Sequence, residues 1–288
     1  MTENSNKFKE IIHHYSKKDI AAVVVSYNGE DIAKTVDTVL EQVNHLIIID
    51  NNSEERFKIQ LSDYKDNDRI TVIENRENVG QAEALNQGWI KAEKMGYSLT
   101  LTMDQDSQLE EHCVGELLEG IHAGFDSVGA NYENKKIAEN FKKVRYLITS
   151  GNLLRIDAIK NVGGYDHNLF IDSVDFDISL RLRKAGYKLA MVRDAKMRHS
   201  IGELNESTEI YEHSIVRHYY ISRNHYYIIY KYWNNDPVFC IKKQISYLLN
   251  LRGLRKESDH EQKREARKRG KKDARTLLLQ SSMDEIGE

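Results

Sequence analysis

Two groups of carboxylates in this sequence have residue types and spacings that suit metal binding and proton transfer. Asp104 and Asp106 directly follow the apolar segment 97–103. One or both carboxylates can reach a divalent cation that also holds diphosphate oxygens, and hard oxygen ligands suit Mg²⁺ or Mn²⁺. A D-x-D triplet also arises by chance in a chain with 45 Asp and Glu residues, but its place at a strand end favours a metal site.

The densest acidic segment is FIDSVDFD, residues 170–177. Asp172, Asp175 and Asp177 fall within six residues there, and repulsion between buried carboxylates would raise the pKa of at least one of them. A loop that leads into a helix and presents a carboxylate is a suitable place for a general base. Acidic capping of that helix explains one of these residues but not all three, so the segment indicates catalysis.

Weaker signals come from polar side chains in loops that follow predicted strands. These are Ser26, Tyr27, Asn28, Asp50, Asn52 and His199. Asp50 suits a hydrogen bond from a base imide, and the alternatives are a helix cap or an Asx-turn, each without any ligand. A lone histidine is usually structural, so His199 needs further context before it counts as a metal or diphosphate ligand.

The elements that must position these residues follow from hydrophobic periodicity. The predicted strands are 20–26, 45–49, 70–73, 97–103, 144–149 and 187–192. The predicted helices follow residues 30, 80 and 113, and two more cover 156–162 and 175–185. This alternation predicts an α/β fold with a mostly parallel, Rossmann-like sheet flanked by helices, whose ligand loops lie at the carboxyl ends of its strands.

The C-terminal part has a different, helical and tyrosine-rich pattern. Asp236 and Pro237 are expected to begin a helix. Its apolar residues are expected to face inward: Val238, Ile241, Ile245, Leu248 and Leu249. We therefore divide the chain into an N-terminal extension (1–19), a catalytic domain (20–208) and a helical C-terminal extension with a basic tail (209–288).

Charge is unevenly distributed along the 288 residues. The net charge is −3, yet residues 252–275 hold eleven Lys and Arg against five acids, and residues 276–288 hold three acids. Residues 1–251 therefore carry about −6, which excludes a nucleic-acid groove across the main domain because such a groove needs clustered cations.

For the basic tail we expect a solvated helix or an oligomer contact, such as a homodimer, with anionic lipid as the alternative. Leu254, Ala266 and Ala274 are its few apolar residues, and we expect them not to bury deeply. Two distant cysteines and the lack of a long apolar run favour a cytoplasmic protein, either soluble or peripheral at the inner face of the membrane.

Six motifs in order carry a family resemblance over about residues 20–235. They are SYN, IDNNS, ENVG, DQDS, SGNL and FIDSVDFDISLRLRKAGY. Together they resemble glycosyltransferase family 2, and in detail its bacterial rhamnosyltransferase branch. The resemblance implies a GT-A fold in which a nucleoside-diphosphate sugar lies across the strand ends.

The resemblance also implies roles for individual residues. Donor-binding positions would be Ser26, Tyr27, Asn28, Asp50, Asn52, Asn78, Gly80, Asp104 and Gln105. Within that set Asp50 would contact the pyrimidine base and Asp104 the ribose or sugar, while Asp106 and His199 would bind the metal. Asp175 matches the catalytic base, but Val174 stands where many members have Glu, which leaves Asp172 as an alternative base.

The activity implied is an inverting transfer from a nucleoside-diphosphate sugar to a hydroxyl of a cell-surface polysaccharide or lipid-linked glycan. dTDP-rhamnose is the favoured donor, with UDP-hexoses behind it. The Arg-Asn pair in the tyrosine-rich segment 219–233 also resembles the rhamnosyltransferase branch, and an aromatic packing helix is the alternative. The competing hypothesis is a non-catalytic sugar-nucleotide-binding or scaffolding subunit; dinucleotide oxidoreductases and P-loop NTPases are excluded because their glycine-rich motifs are absent.

Overall fold

A computed structural model describes residues 14–30, 32–132, 136–199, 203–205 and 210–287. Its strands, in chain order, are β1 (Ile20–Ser26), β2 (His45–Asp50), β3 (Ile70–Glu74), β4 (Leu99–Asp104), β5 (Gln108–Leu109), β6 (Ser127–Gly129), β7 (Phe141–Lys143), β8 (Asn152–Arg155), β9 (Leu189–Val192), β10 (Met197–Arg198), β11 (Glu203–Asn205) and β12 (Ile210–Glu212). Its helices are α1 (Ile32–Leu40), α2 (Glu55–Ser62), α3 (Gln81–Lys94), α4 (Cys113–His122), α5 (Ile156–Asn161), α6 (Val174–Lys184), α7 (Ile215–Tyr232), α8 (Pro237–Gly253) and α9 (His260–Gly287).

Eight of these strands form one sheet in the order β3-β2-β1-β4-β8-β6-β9-β7. β1 pairs in parallel with β2 and β4, β2 pairs in parallel with β3, and β6 pairs in parallel with β9. Only β8 and β7 pair antiparallel with their neighbours in this sheet. The sheet is therefore mostly parallel, as predicted.

Helices cover both faces of the sheet, which explains why its central strands are apolar without alternation. Along β1, Ala21 and Val23 pack in the core that contains α3, α5 and α6. Ile20, Ala22 and Val24 pack in the opposite core, which contains α1 and α4. Successive side chains of one strand therefore supply two cores.

The prediction of a strand over residues 144–149 is wrong. The flanking segments Phe141–Lys143 and Asn152–Arg155 are the strands, and residues 144–151 connect them. After Val144, whose N–H donates to the Leu189 carbonyl of β9, side chains bond the backbone of this segment: the Leu147 N–H donates to Ser179 Oγ, and Thr102 Oγ1 donates to the Thr149 carbonyl. An apolar alternating pattern here reflects Leu147 packing over Gly129, not a strand. The short polar helix α2 was not predicted.

The orientation predicted for α8 is also wrong. Phe239, Cys240 and Tyr247 are buried, so the opposite side of the helix faces the protein. The five aliphatic residues predicted to face inward are each about half exposed: Val238, Ile241, Ile245, Leu248 and Leu249. Aromatic and sulfur side chains packing on α7 decide the buried face, and periodicity alone does not distinguish the two stripes. We call these five residues the α8 apolar face.

The basic tail forms α9, which packs closely along α7. Contrary to expectation, Leu254, Ala266 and Ala274 are buried. A Cβ on Gly270 would lie 2.3 Å from the Tyr219 carbonyl oxygen, so small residues let the two helices approach. Arg267 Nε also donates to His218 Nδ1 at 3.0 Å, so part of the basic charge faces inward.

No helix in the described part of the chain is long and apolar enough to cross a membrane. The antiparallel hairpin of β11 and β12 lies on both sides of the domain boundary predicted after residue 208, and that boundary stays a prediction.

Candidate active site

A cavity of about 510 Å³ opens where β1, β2 and β4 end. Nine of the residues predicted to have a role line it: Tyr27, Asn78, Gly80, Asp104, Gln105, Asp106, Asp172, Asp175 and His199. Four others do not line it: Ser26, Asn28, Asp50 and Asn52. The carboxyl edge of the sheet thus brings together segments that are up to 172 residues apart in the sequence.

Asp104, Asp106 and His199 form a group that suits a metal ion. Each offers one ligand atom, and these atoms lie within 4.8 Å of one another. β4 delivers the two carboxylates, and the antiparallel pairing of β5 with β10, in which Arg198 lies opposite Gln108, carries His199 to them. Carboxylate oxygen and imidazole nitrogen together fit Mn²⁺ or Mg²⁺.

Three hydroxyl and backbone contacts orient the histidine. The Asp104 N–H donates to Ser150 Oγ at 3.1 Å, Ser150 Oγ donates to Ser107 Oγ at 2.9 Å, and Ser107 Oγ lies 2.8 Å from His199 Nδ1. With Nδ1 protonated and donating to Ser107, the other ring nitrogen keeps its lone pair for a cation. Ser107 and Ser150 therefore couple the histidine to the strand end.

The electrostatics of Asp104 point in the same direction. Burial raises the pKa of its carboxyl to about 6, and Asp106 and Asp175 add to the rise, while His199 and Arg217 oppose it. Negative charge gathered where there is little water favours a proton or a bound cation. The donor set and its charge therefore fit a divalent metal.

Asp175 lies at the first turn of α6, on the wall of the same cavity. Burial raises the pKa of its carboxyl to about 6, and Asp172 adds to the rise. Lys243 and the backbone N–H of Phe176 oppose it. A carboxylate whose pKa is near neutrality and which faces a cavity has the properties of a general base.

Asp172 has a different environment. Its Oδ1 accepts a hydrogen bond from Arg217 of α7 at 3.3 Å, and its Oδ2 is buried without a hydrogen-bond partner among the residues that the structure describes. Asp172 and Ser173 both have φ of 66°, a left-handed conformation that is strained for residues other than glycine. The ion pair holds Asp172 in place, whereas Asp175 has no such partner among the described ion pairs.

The third acidic residue of this segment, Asp177, is structural. It is fully buried, and its carboxylate accepts hydrogen bonds from Arg181 at 2.7 Å and from the Tyr232 hydroxyl at 2.7 Å. Lys231 Nζ lies 2.9 Å from it. Asp177 therefore joins α6 to α7 and lies outside the cavity.

The loop after β1 is fixed by one glutamine. The Tyr27 N–H donates to Gln105 Oε1 at 2.8 Å, and Gln105 Nε2 donates back to the Tyr27 carbonyl at 3.2 Å. This pairing leaves the Tyr27 side chain 48% exposed at the cavity. Asn28 accepts from the Glu54 N–H at 2.8 Å, so it serves the loop rather than the cavity.

Asp50 bonds the backbone of its own loop three residues on, so it makes neither an Asx-turn, which reaches two residues on, nor a cap of α2, which begins after Glu54. Its carboxylate accepts the Ser53 N–H at 3.2 Å, and the residue is fully buried. Ser26 is also buried, and Asn52 is exposed with φ of 64°. The donor contacts expected of these residues stay predictions.

An asparagine network that includes Asn51, missed from the sequence, supports the next loop. Asn51 donates to Asn78 Oδ1 at 2.9 Å, and Asn51 Oδ1 accepts the Val79 N–H at 3.0 Å. The loop ends at Gly80, whose φ is 84°, and the Gln81 N–H donates to the Phe170 carbonyl at 2.6 Å. The start of α3 is therefore bonded to the segment that carries the acidic residues.

Helix α7 contacts the segment 170–173, which precedes α6 and which we call the acidic loop, and holds it in position. Asn224 Nδ2 donates to the carbonyls of Ile171 at 2.5 Å and Asp172 at 3.0 Å, and Arg223 donates to the Asn168 carbonyl. The Arg-Asn pair noted in the sequence thus has a structural role, and the stack of Phe170 on Tyr220 shows aromatic packing as well. Arg217 was missed because no local pattern relates it to Asp172, 45 residues away.

Comparison with known proteins identifies a family. A family model described as glycosyl transferase family 2 matches residues 21–177. The dTDP-rhamnosyl transferase RfbF of Shigella flexneri is 26% identical over 268 residues, which cover 80% of this chain and 86% of that protein.

Solved structures share the fold. The mannosyltransferase PcManGT of Pyrobaculum calidifontis, in complex with GDP-Man and Mn²⁺, has a TM-score of 0.60 at 12% identity, covering 94% of this chain and 81% of that one. S. aureus TarS 1–349 in complex with UDP-GlcNAc has a TM-score of 0.57 at 12% identity, covering 92% of each chain. The expected GT-A fold with a helical C-terminal region is confirmed.

Proposed function

This chain belongs to glycosyl transferase family 2, and on that premise we propose that it is an inverting, metal-dependent enzyme that transfers a sugar from a nucleoside diphosphate to a glycan hydroxyl. The observation that carries the proposal is the single cavity that holds both the Asp104, Asp106 and His199 group and the Asp175 carboxylate. A metal site beside a candidate base is what this displacement requires.

Asp106 and His199, with Asp104, are the residues that would hold a divalent cation, Mn²⁺ or Mg²⁺. Such a cation neutralises charge on the departing diphosphate. Asp104 also lies within reach of Gln81, whose Nε2 donates to it at 3.4 Å, so the carboxylate is oriented toward the cavity before any ligand binds.

Asp175 is the proposed general base, and Asp172 is the alternative. The Asp175 carboxylate takes the proton of the acceptor hydroxyl as that oxygen attacks the anomeric carbon of the donor sugar. The bond from this carbon to the diphosphate oxygen breaks, and the nucleoside diphosphate leaves with the electron pair. Attack opposite the leaving group inverts the configuration. Asp172 is less suited because Arg217 already pairs with it.

The favoured donor is dTDP-rhamnose, and UDP-hexoses are second. The support is the likeness to the dTDP-rhamnosyl transferase RfbF, at 26% identity. Tyr27, Asn78, Gly80 and Gln105 would border the donor because they line the cavity. The other four predicted donor-binding residues would support the loops that contact the nucleotide part of the donor. They are Ser26, Asn28, Asp50 and Asn52.

The proposed acceptor is a cell-surface polysaccharide or a lipid-linked glycan. The α8 apolar face supports a peripheral position at the inner face of a membrane, in the cytoplasm, because large exposed apolar patches mark interaction surfaces. Exposed Lys242, Arg252 and Lys256 lie on or beside this face and would favour anionic lipid. A homodimer through the same face is the alternative.

The test is release of nucleoside diphosphate from a panel of sugar nucleotides with Mn²⁺ or Mg²⁺. We expect turnover of dTDP-rhamnose by the wild type, and loss of it in Asp106→Asn and, with acceptor present, in Asp175→Asn. Asp68→Asn, at an exposed carboxylate that does not line the cavity, is the matched control. Turnover that survives Asp106→Asn and chelation would overturn the metal assignment.

The competing hypothesis is a sugar-nucleotide-binding subunit without turnover. The intact Asp104, Asp106, His199 and Asp175 set favours an enzyme. A donor that raises the melting temperature but releases no nucleoside diphosphate, with or without a glycan extract as acceptor, would favour the binding subunit.

A further inference from the structure

A second cavity, of about 570 Å³, adjoins the catalytic cavity. The two cavities share Asp172, Ser173 and Phe176 as lining residues. The other walls come from α7, from α8 and from the segment at Arg145 and Tyr146. A molecule in the second cavity can therefore extend past the start of α6 toward Asp175.

Aromatic rings line this second cavity. The rings of Tyr146 and Phe176 have centroids 4.7 Å apart, and those of Phe176 and Phe239 are 5.9 Å apart. Tyr146 is 46% exposed, so its ring presents an apolar surface that the protein itself does not cover. Binding sites for small molecules combine such surfaces with a few placed polar groups, and the apolar face of a sugar ring fits an aromatic surface.

Three of the polar groups that line this cavity are cationic, and one, Asp172, is a carboxylate. Lys242, Lys243 and Arg145 line the cavity, together with His225, Ser246 and Asn250. Arg145 is paired with Asp236, whereas no carboxylate within the described residues lies in ion-pair distance of Lys243. The Lys243 ammonium lies 3.6 Å from the centre of the Phe176 ring.

Lys243 is therefore an ammonium held against an aromatic ring with little water around it. Burial lowers the pKa of its amine to about 8, although Asp175 and Asp172 act in the opposite direction. A partly desolvated cation without a close counter-ion is unfavourable unless a ligand supplies the negative charge. The same cation would also shield an anionic ligand from the carboxylates of the acidic loop.

We propose that this second cavity is the acceptor subsite, and that it takes a glycan carrying an anionic group, a phosphate or a carboxylate, which Lys243 binds while the sugar ring packs on Tyr146. The inference rests on the proposed function, because it assigns the acceptor of that reaction. It narrows the acceptor class from any glycan to an anionic one, and it makes α8 part of the substrate site.

The experiment compares three probes that share a glucose-type ring: methyl glucoside, which is neutral, methyl glucuronide, which has a carboxylate at C6, and glucose 1-phosphate, which has a phosphate at C1. Their dissociation constants are measured by titration calorimetry on the full chain with Mn²⁺ and dTDP present. We expect at least about tenfold tighter binding of an anionic probe than of methyl glucoside, equivalent to about 1.4 kcal/mol. The carboxylate and phosphate arms show which anion the site prefers.

Lys243→Gln should abolish the preference for an anionic probe. Lys184→Gln changes an exposed lysine at the C-terminal end of α6 and should keep that preference. Equal or absent binding of the three probes by the wild type overturns the inference, and so does a preference that survives Lys243→Gln. Binding of dTDP with Mn²⁺ is measured in the same samples. Its loss in the wild type would contradict the proposed function instead, so the two failures are distinguishable.

Discussion

At the residue scale, Asp175 combines partial burial with a role that requires its charged form. Burial raises the pKa of this carboxyl to about 6. A general base acts only when ionised, so we expect kcat/KM for transfer to fall as the pH drops below about 6 and the carboxyl takes up a proton. A pH profile of transfer from about pH 5 to about pH 8 at saturating Mn²⁺ checks this. A profile without a decrease on the acid side would contradict it.

The same pKa shift predicts that Asp175→Asn stabilises the protein while it abolishes transfer. A carboxyl whose folded pKa is raised favours the protonated form, so the folded state loses stability as the pH rises through the window from 3.8 to about 6. The asparagine variant does not ionise, and should gain up to about 3 kcal/mol at neutral pH, less the screening by water in the cavity. Urea unfolding with a chelator present, at acid and neutral pH, measures the gain.

Asp177→Asn is the contrasting change, two residues along the same helix. Asp177 is buried against Arg181 and Lys231, and its replacement leaves Arg181 without its ion-pair partner, whereas Lys231 keeps Asp166. We expect a loss of about 3–5 kcal/mol in the free energy of unfolding at neutral pH. If both variants changed stability in the same direction, the separation of Asp175 and Asp177 into catalytic and structural roles would be wrong.

At the element scale, the start of α3 is bonded to the acidic loop, and Gly80 makes that approach feasible. A Cβ there would lie 2.6 Å from the Phe170 carbonyl oxygen. We expect Gly80→Ala to displace the loop and lower donor turnover at least about tenfold, since catalytic groups tolerate little misplacement. Nucleoside-diphosphate release measures the effect.

Gly96→Ala is the matched control for that prediction. Gly96 has φ of 89°, close to the 84° of Gly80, but a Cβ there meets nothing within 4 Å. Both variants therefore place a Cβ at a positive φ, but Gly80 also has ψ of 166°, a conformation nearly restricted to glycine, so the loop contact and part of the backbone strain are specific to Gly80. Equal losses of activity in the two variants would mean that the positive φ alone, and not the loop contact, explains the Gly80 effect.

The elements also show how far the sequence could predict the fold and the site. Buried parallel strands such as β1 are continuous apolar runs in the sequence. The positions of the polar residues at their carboxyl ends could therefore be predicted. Residues such as Arg217 and Asn224 reach the acidic loop from α7, and no periodicity relates distant segments. The buried face of α8 was predicted wrongly because its aliphatic stripe is more apolar in sequence than the aromatic face that packs against α7.

At the scale of the whole molecule, the two C-terminal helices have roles opposite to those expected. α9 carries the basic charge, yet it packs its small residues on α7 and buries Lys263 and Arg267. α8 exposes its aliphatic residues while its neighbouring side lines the second cavity. A lipid-bound acceptor would suit this arrangement, because one helix would then contact the bilayer and the substrate together.

The prediction that follows is that α8 anchors the protein to anionic vesicles. Ile245 and Leu249 are 53% and 56% exposed, and burying the exposed half of each contributes about 1 kcal/mol, roughly half of the value for a fully exposed aliphatic side chain. We therefore expect Ile245→Glu with Leu249→Glu to weaken co-sedimentation with phosphatidylglycerol vesicles at least about tenfold, since like charge adds to the lost burial. Ile59→Glu, a 63% exposed residue on α2, should leave binding unchanged. If the double variant instead converts a dimer to a monomer in light scattering and the wild type ignores vesicles, the α8 apolar face joins two copies of the chain, because the same aliphatic surface then finds its partner in itself.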